Sequence, residues 1–529
     1  MRNKFVFLRI AQELQFWACV VIVVAMPFSN LFMSLGMFIL AGSVILQNML
    51  ADRPSNWKDL LRENMKRLAI VPMMGLFFLL LLSLIYTEHF DYAFWDLKMK
   101  LPIFVLPVAF LFGKPFDELQ RQRILGCFIL STAVACTLCI ASYIVAPSKL
   151  NHDARQISIF ISHIRFSMML ILASVLLFTS AWHKPFGKVL TIMLLTLFGA
   201  FIYLSSSLTG AVLVFGMLAW ATIFWFSNKS ASQKLRFGVL TFFLLLSGCG
   251  VYWVVDSFKD YFNAQPLCTQ THSAGGELYA DYHDYPLIEN GHFVMEGIAW
   301  SELYREWSRK SNISPDSLDG GGHLLKGTLI RYLGNKGLLK DSVGISMLTP
   351  LDISNIESGM THPYLHHGID GRLNKVWFEW SNYKAGGNTS GHSILQRIEF
   401  IRTALLIIGE HPVWGVGIGD VAKSFACKYE EIGSSLDQKH RLRAHNQYLT
   451  MWISAGFFGL LTFAYWLWKN LKSPSWLPQA KNALFMIALL SFITEDTLET
   501  VAGVVFISFF LAFFADTIPP SAASQLPAK

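Results

Sequence analysis

Long apolar stretches recur along the chain and are separated by shorter polar connections. A transmembrane helix needs about 20 mostly apolar residues to cross roughly 30 Å of hydrocarbon. Nine stretches close to that length precede a long polar segment, and three follow it. The predicted spans lie near residues 10–28, 31–50, 68–86, 94–113, 124–146, 166–182, 187–206, 208–226, 237–255, 448–468, 480–494 and 498–516. The pattern therefore predicts an all-α polytopic membrane protein with about twelve transmembrane helices.

Composition excludes a set of soluble domains. Hydrophobic residues make up 53% of the 529 positions and charged residues only 15%, whereas soluble domains have about 25% charged residues. The same excess of apolar residues excludes a disordered chain. The first apolar stretch follows the basic start MRNKFVFLRI and has no small-residue cleavage motif, so we expect it to be a retained span.

The distribution of basic residues predicts the orientation of the spans, because cytoplasmic connections are enriched in Lys and Arg. With the N-terminus inside, alternate connections carry basic groups such as Lys58, Arg62, Lys114, Lys184 and Lys229. This parity predicts that four polar connections lie on the outer face: 147–165, 205–208, 256–447 and 495–498. We therefore divide the chain into an N-terminal bundle (1–255), an extracytoplasmic segment (256–447) and a C-terminal bundle with its tail (448–529).

The outer segment contains a polar region, 256–395, that is too long for a simple connector. Its stretch EGIAWSELYREWSRK predicts one amphipathic helix, and we expect a small, partly helical cap. Its aromatic residues could stack on sugars, or they could pack inside the cap or sit at the lipid interface, and we favour the second interpretation. Cys268 and Cys427 are both predicted outside, which leaves a disulfide open. The aromatic residues are Tyr279, Tyr282, Tyr285, Trp300, Trp307, Trp377 and Trp380.

Two motifs place arginines beside the predicted spans. Arg165, in SHIRFSMMLILA, stands where an outer connection enters a span; ionisable groups there mark functional sites, unless the side chain merely reaches the headgroups. In HSILQRIEFIRTALLIIGEHPVWGVGIGD, helical spacing predicts an amphipathic helix over 393–409 and then a tight glycine turn. Arg397 and Arg402 are five positions apart on this helix, so we expect one to point inward and one to be solvated.

Two further motifs carry protonatable groups. His445 and Asn446 precede a span in RLRAHNQYLTMW, and an imidazole near neutral pH suits a general base as well as an interfacial hydrogen bond. In ITEDTLETVAGVVF, the carboxylates of Glu495, Asp496 and Glu499 lie between two apolar helices. They are costly there unless they are paired or bathed in water, and they could orient His445 or pair with an outer arginine.

Together these motifs resemble the O-antigen ligase family, which shares a domain with O-antigen polymerases. HPVWGVGIGD, the arginine-bearing helix before it and HNQYL…GFFGL carry the resemblance, in this order and spacing. The resemblance implies a GT-C-like fold and a glycosyltransferase that needs no metal and no cofactor. It implies transfer of a glycan from undecaprenyl diphosphate to lipid A–core, at the periplasmic face of the bacterial inner membrane. Attack from the face opposite the diphosphate predicts inversion at the anomeric carbon. No nucleic acid is expected as a partner.

The resemblance also implies roles for individual residues. His445 corresponds to the essential base, and Arg397 to the arginine that holds the diphosphate. The family has a second arginine in an SRG-like motif, where this chain has SSSLTGA with Leu208 instead. Arg165 is our candidate replacement, with Arg402 as the alternative. Residues expected to support the site are Asn446, Glu495, Asp496, Ser207 and Thr209.

Other functions stay open at this stage. An O-antigen polymerase uses the same donor with a second lipid-linked glycan as acceptor, and a protein O-oligosaccharyltransferase uses a protein. A polysaccharide or lipid transporter would be a different class; such proteins carry internal repeats and broken helices at the midplane. The chain shows no convincing repeat, and its polar groups are predicted on one face.

Overall fold

A computed structural model shows a chain that is mostly helical, with one two-stranded hairpin among the residues it describes. The described residues are 2–51, 70–145, 154–179, 185–227, 232–264, 270–282, 284, 286–363, 368–386, 390 and 393–515.

The helices of the first half follow the apolar stretches closely. They are α1 (Arg2–Ala25), α2 (Asn30–Leu50), α3 (Ile70–Leu82), α4 (Phe90–Lys100), α5 (Pro102–Phe112), α6 (Glu118–Val145), α7 (His163–Thr179), α8 (Pro185–Leu204), α9 (Leu208–Ser227) and α10 (Gln233–Phe262).

The second half begins with short elements and ends with three apolar helices. In order they are β1 (Ile288–Glu289), β2 (His292–Phe293), α11 (Trp300–Trp307), α12 (Leu325–Asn335), α13 (Ser342–Ser346), α14 (Pro350–Glu357), α15 (Gly368–Lys384), α16 (Ser393–Glu410), α17 (Val421–Glu431), α18 (Gln447–Lys472), α19 (Pro478–Thr494) and α20 (Val501–Ala515).

Each predicted span overlaps a helix or helix pair within the part of the chain that the structure describes. Six helices of the described chain (α1, α2, α6, α8, α10 and α18) are long and apolar enough to cross a membrane by themselves. This is the pattern of a multi-pass membrane protein, while the count of twelve stays a prediction. The stretch 94–113 forms two short helices, α4 and α5, because Pro102 lacks the backbone donor that would continue the first.

The chain packs as two units, and the first contains residues 1–228, 397–434 and 441–529. Its core surrounds α20, whose residues from Ala502 to Ala515 are all buried. A helix that is apolar on every side belongs inside a bundle. Phenylalanine rings pack around it, with Phe128 and Phe510 at a centroid distance of 4.7 Å. The core is thus formed by α20 together with earlier helices of the chain.

The second unit contains residues 229–396 and 435–440. Its polar region has its own core, in which Leu303, Trp307, Leu329 and Ile345 are fully buried. This region is partly helical, as expected, and its position as a cap on the outer face stays a prediction. These units are defined by packing, whereas the division at residues 255 and 447 follows the sides of the membrane and stays a prediction.

The long amphipathic helix expected around 296–310 is shorter in the structure. Only Trp300–Trp307 is helical, because Gly297 adopts a left-handed conformation before it and a turn follows at Ser308. Trp307 is buried in the core and donates to the Ile313 carbonyl, and buried Tyr279 donates to Asp341. Packing therefore explains these two aromatic residues. Tyr285 and Cys268 lie outside the described residues.

Candidate functional site

The ends of four segments in the first unit bring five polar side chains together, and we call this group the His445 cluster. Arg165 comes from the first turn of α7, Arg397 from α16 and His445 from the loop before α18. Glu495 and Asp496 follow the last residue of α19. The first and last members are 331 positions apart along the chain, so only the fold brings them together.

Glu495 is the centre of the cluster. One of its oxygens, Oε1, accepts a hydrogen bond from Arg397 Nη2. The other, Oε2, lies 3.4 Å from Arg165 Nη1 and 3.5 Å from His445 Nδ1. Asp496 Oδ1 lies 3.6 Å from the same imidazole nitrogen. One buried carboxylate therefore contacts both arginines and the histidine.

The protonation state of Glu495 follows from these contacts. Burial raises its pKa, but the His445 side chain and the positive charges of Arg165 and Arg397 outweigh that effect and hold the pKa below its usual value. Glu495 is therefore ionised at neutral pH. An ionised carboxylate beside Nδ1 favours a proton on that nitrogen and leaves Nε2 as the basic atom.

The position of His445 is fixed from several sides. Its backbone is left-handed, with φ of 46°, which is unfavourable for a residue with a Cβ and persists only when its surroundings hold it. Its ring stacks on Phe400 of α16, with a centroid distance of 5.5 Å. The next residue, Asn446, caps α18 by accepting from Leu449 N and donates to the carbonyl of Ile493 at the end of α19. Asn446 thus supports the histidine by joining two helices.

A second group of charges lies beside the cluster, and we call it the Lys100 network. Lys100 Nζ lies 2.6 Å from Asp96 Oδ2 and 2.6 Å from Glu499 Oε2. Arg443 Nη2 donates to the same Glu499 oxygen at 2.8 Å, and Gln447 binds Glu499 and the Leu498 amide. Two positive and two negative charges balance, which makes their burial tolerable.

The Lys100 network connects two segments of the His445 cluster, the loop that contains His445 and the residues that follow α19. Arg443 is two residues before His445, and Glu499 is three residues after Asp496. Their ion pair therefore fixes the histidine segment against the carboxylate segment.

The predicted glycine turn is present as residues 411–420, which we call the glycine loop. It packs against a break in α18, where Ala455 and Gly456 are not helical. Val416 N donates to the Ile453 carbonyl at 2.8 Å, and Phe457 N donates to the Pro412 carbonyl at 3.0 Å. The loop thereby satisfies backbone groups that the broken helix leaves unpaired.

Gly456→Ala should destabilise the protein by about 2–3 kcal/mol. Gly456 has φ of 63° and ψ of −159°, and an added Cβ would lie 2.0 Å from the Val413 carbonyl oxygen. Thermal unfolding of the purified protein measures the effect. Gly409→Ala is the matched control, because that helical glycine has open space at the Cβ position and alanine favours helix there. Equal midpoints for the two variants would contradict this interpretation.

The remaining predicted residues lie apart from these contacts. Arg402 is solvated, with a side chain 64% exposed, and its guanidinium lies 3.7 Å from Glu399. The expectation of one inward and one solvated arginine is thus met, with Arg397 inward. Ser207 caps α9 by accepting from the Gly210 amide, and Thr209 is buried in the first turn of that helix. These three residues are not among the side chains in contact with Glu495 or His445.

Sequence reasoning missed the Lys100 network. The signal was available, because Asp96 and Lys100 are four positions apart within a predicted span, and two such charges are costly there unless paired. Arg443 was part of a quoted motif but had no assigned role. The acidic partner Glu499 is 399 positions from Lys100, and a single sequence contains no pattern that reveals such a pairing.

His445, Glu495 and Asp496 also have the donor types of a metal site. Their potential ligand atoms all lie within 4.8 Å of one another. Two guanidinium groups contact the central carboxylate, however, and positive charges at that distance oppose a divalent cation. Metal independence therefore stays a prediction, and the positive charges of the two guanidinium groups support it.

Comparison with known families adds an independent finding. Residues 353–464 match the model of a family described as O-Antigen ligase. No curated protein matches the chain. The matched stretch contains Arg397, the glycine loop and His445, whereas Arg165, Glu495 and Glu499 lie outside it. The resemblance to the O-antigen ligase and polymerase family is therefore confirmed, and residues 353–464 carry it.

Proposed function

We propose that the protein is a membrane glycosyltransferase of the O-antigen ligase type. It transfers a glycan from undecaprenyl diphosphate to a sugar hydroxyl of lipid A–core, at the periplasmic face of the inner membrane. The observation that carries the proposal is the contact of Glu495 with His445, Arg165 and Arg397 at once. This arrangement combines a candidate base with two candidate phosphate-binding groups.

His445 acts as the general base. The acceptor hydroxyl donates its proton to Nε2 while its oxygen forms a bond to the anomeric carbon of the donor sugar. The negative charges of Glu495 and Asp496, whose oxygens lie 3.5 Å and 3.6 Å from Nδ1, stabilise the imidazolium that forms, as the carboxylate does in other base–carboxylate pairs. The side chain of His445 is 28% exposed, so a substrate can reach it.

The arginines stabilise the leaving group. As the bond between the anomeric carbon and the diphosphate oxygen breaks, the electron pair stays with undecaprenyl diphosphate. Guanidinium groups match phosphate oxygens with paired donors and keep their charge. Arg397 is 31% exposed, and Arg165 Nε has no hydrogen-bond partner among the described residues, so both retain donors for an anion. Displacement in one step inverts the anomeric configuration.

A deletion strain distinguishes ligase from polymerase. Loss of a ligase leaves complete lipid-linked polymer in the inner membrane, whereas loss of a polymerase leaves single repeat units. We expect polymer to accumulate, and the intact gene to restore glycan on lipid A–core. Gel analysis of lipopolysaccharide and mass spectrometry of lipid-linked glycans measure both. Single repeat units alone would favour the polymerase, and unchanged glycans would reject both activities.

Chelation should leave transfer unchanged within about twofold. Arg165 and Arg397 supply the positive charge that a divalent cation would otherwise provide at the diphosphate. The measurement is transfer by the purified protein with and without EDTA, followed by addition of Mg²⁺ or Mn²⁺. If EDTA abolished transfer and a cation restored it, His445, Glu495 and Asp496 would have to be reinterpreted as metal ligands.

A further inference from the structure

A cavity of about 650 Å³ in the first unit has Arg165 in its wall. Three segments line it: the N-terminus of α2, residues between 156 and 165 that lead into the first turn of α7, and the start of α20. Its volume is within the range of sites that hold small molecules, about 300–1,000 Å³. The cavity is therefore large enough for a sugar ring.

Arg165 makes this cavity suitable for a ligand that carries oxygen atoms. The residue is only 8% exposed, and its Nε has no hydrogen-bond partner among the described residues. An unpaired buried guanidinium nitrogen costs free energy unless a ligand or water satisfies it. Arg165 also lines the cavity, so an oxygen-bearing ligand there would lie beside this guanidinium group.

The rest of the wall suits a sugar better than an isoprenoid chain. Asn30, Gln156, Ser162 and Thr500 offer amide and hydroxyl groups, which match the hydroxyls of a pyranose. Phe160 is 39% exposed, and an edge contact with Phe28 at 5.0 Å fixes its ring, so it offers a face to a sugar. None of the described residues that line the cavity carries a carboxylate.

We propose that this cavity binds the first sugar of the donor glycan, the ring that is bonded to the diphosphate. The inference rests on the proposed function, in which Arg165 holds that diphosphate. If Arg165 holds the diphosphate, the sugar that is bonded to that diphosphate lies next to the same side chain. The lack of carboxylates in the wall makes the cavity suitable for neutral or anionic sugars, and Gln156 and Asn30 are its specificity residues.

Equilibrium binding to the purified full-length protein tests this assignment. The two probes are undecaprenyl diphosphate and undecaprenyl-diphosphate-linked N-acetylglucosamine. We expect the wild-type protein to bind the sugar-bearing lipid at least about tenfold more tightly, since two or more added hydrogen bonds are worth that ratio. Gln156→Ala and Asn30→Ala should reduce the ratio to about twofold and leave affinity for the sugar-free lipid unchanged.

Two more variants sharpen the result. Asn30→Trp should fill the cavity and remove the preference for the sugar-bearing lipid, and the exposed position of Asn30 makes this change tolerable for folding. Gln122→Ala, a change at an exposed residue that bonds to Glu118 in α6, should behave like the wild type. Thermal unfolding of every variant confirms that it is folded.

The outcomes separate the inference from the proposed function. If the wild-type protein bound both lipids with equal affinity, the cavity would not hold the sugar and the inference would be overturned. Equal losses for both lipids in Gln156→Ala would overturn it too, because the cavity would then bind the lipid diphosphate itself. If the wild-type protein bound neither lipid, the proposed function would fail as well.

Discussion

His445→Gln should reduce glycan transfer by about 10²–10⁴-fold, the usual contribution of a general base. Glutamine keeps a polar side chain of similar length but accepts no proton near neutral pH. The loss should appear in kcat, because the base acts on the acceptor hydroxyl as its oxygen attacks. Transfer from a purified lipid-linked donor to lipid A–core measures it.

His411→Gln is the matched control for that variant. His411 is an exposed histidine in the glycine loop, outside the contacts of the His445 cluster, so its variant should retain transfer within about twofold. Binding of the donor should survive in His445→Gln, because the arginines remain. A His445→Gln protein that is folded and still transfers glycan at the wild-type rate would remove the base from the mechanism.

The helices were predictable because the physical constraint on them is strong. A span must be apolar over about 20 residues, so runs such as the one in α20 stand out without knowledge of their neighbours. The positions at which helices end or break were harder to predict. The apolar pattern of α18 continues through AGFFG, and the break at Gly456 arises because the glycine loop packs there. The pattern in a single sequence reports local helix propensity, whereas this break depends on a contact with a distant part of the chain.

The site was predictable to the extent that its residues stand out locally. His445, Arg165 and Glu495 are polar groups at the ends of apolar runs, where their cost draws attention. What the sequence left open was the pairing, including which of Arg397 and Arg402 points inward. The fold decides that choice, since only Arg397 is on the side of α16 that contacts Glu495. Lys100 was missed for the same reason, and Glu499 was noticed as one of three carboxylates without its partners being identified.

Arg397→Ala and Arg165→Ala should each reduce transfer by about 10²–10³-fold, the scale of losing one preorganised donor to a developing negative charge. Each removal also deprives the buried Glu495 of one positive partner, which costs stability. Arg165→Lys and Arg397→Lys therefore accompany them. Lysine keeps the charge but lacks the paired donors of a guanidinium, so we expect folded proteins with transfer at least about tenfold lower.

Arg402→Ala is the control, because it removes an arginine from the same helix, five residues from Arg397, at a solvated position. It should retain transfer within about twofold. The comparison tests whether position in the His445 cluster, rather than basic charge near the outer face, determines the rate. If Arg402→Ala were inactive while Arg165→Ala transferred normally, Arg402 would be the second diphosphate ligand. Such a result would require α16 to rotate when the donor binds, since one helix face cannot present both arginines to Glu495.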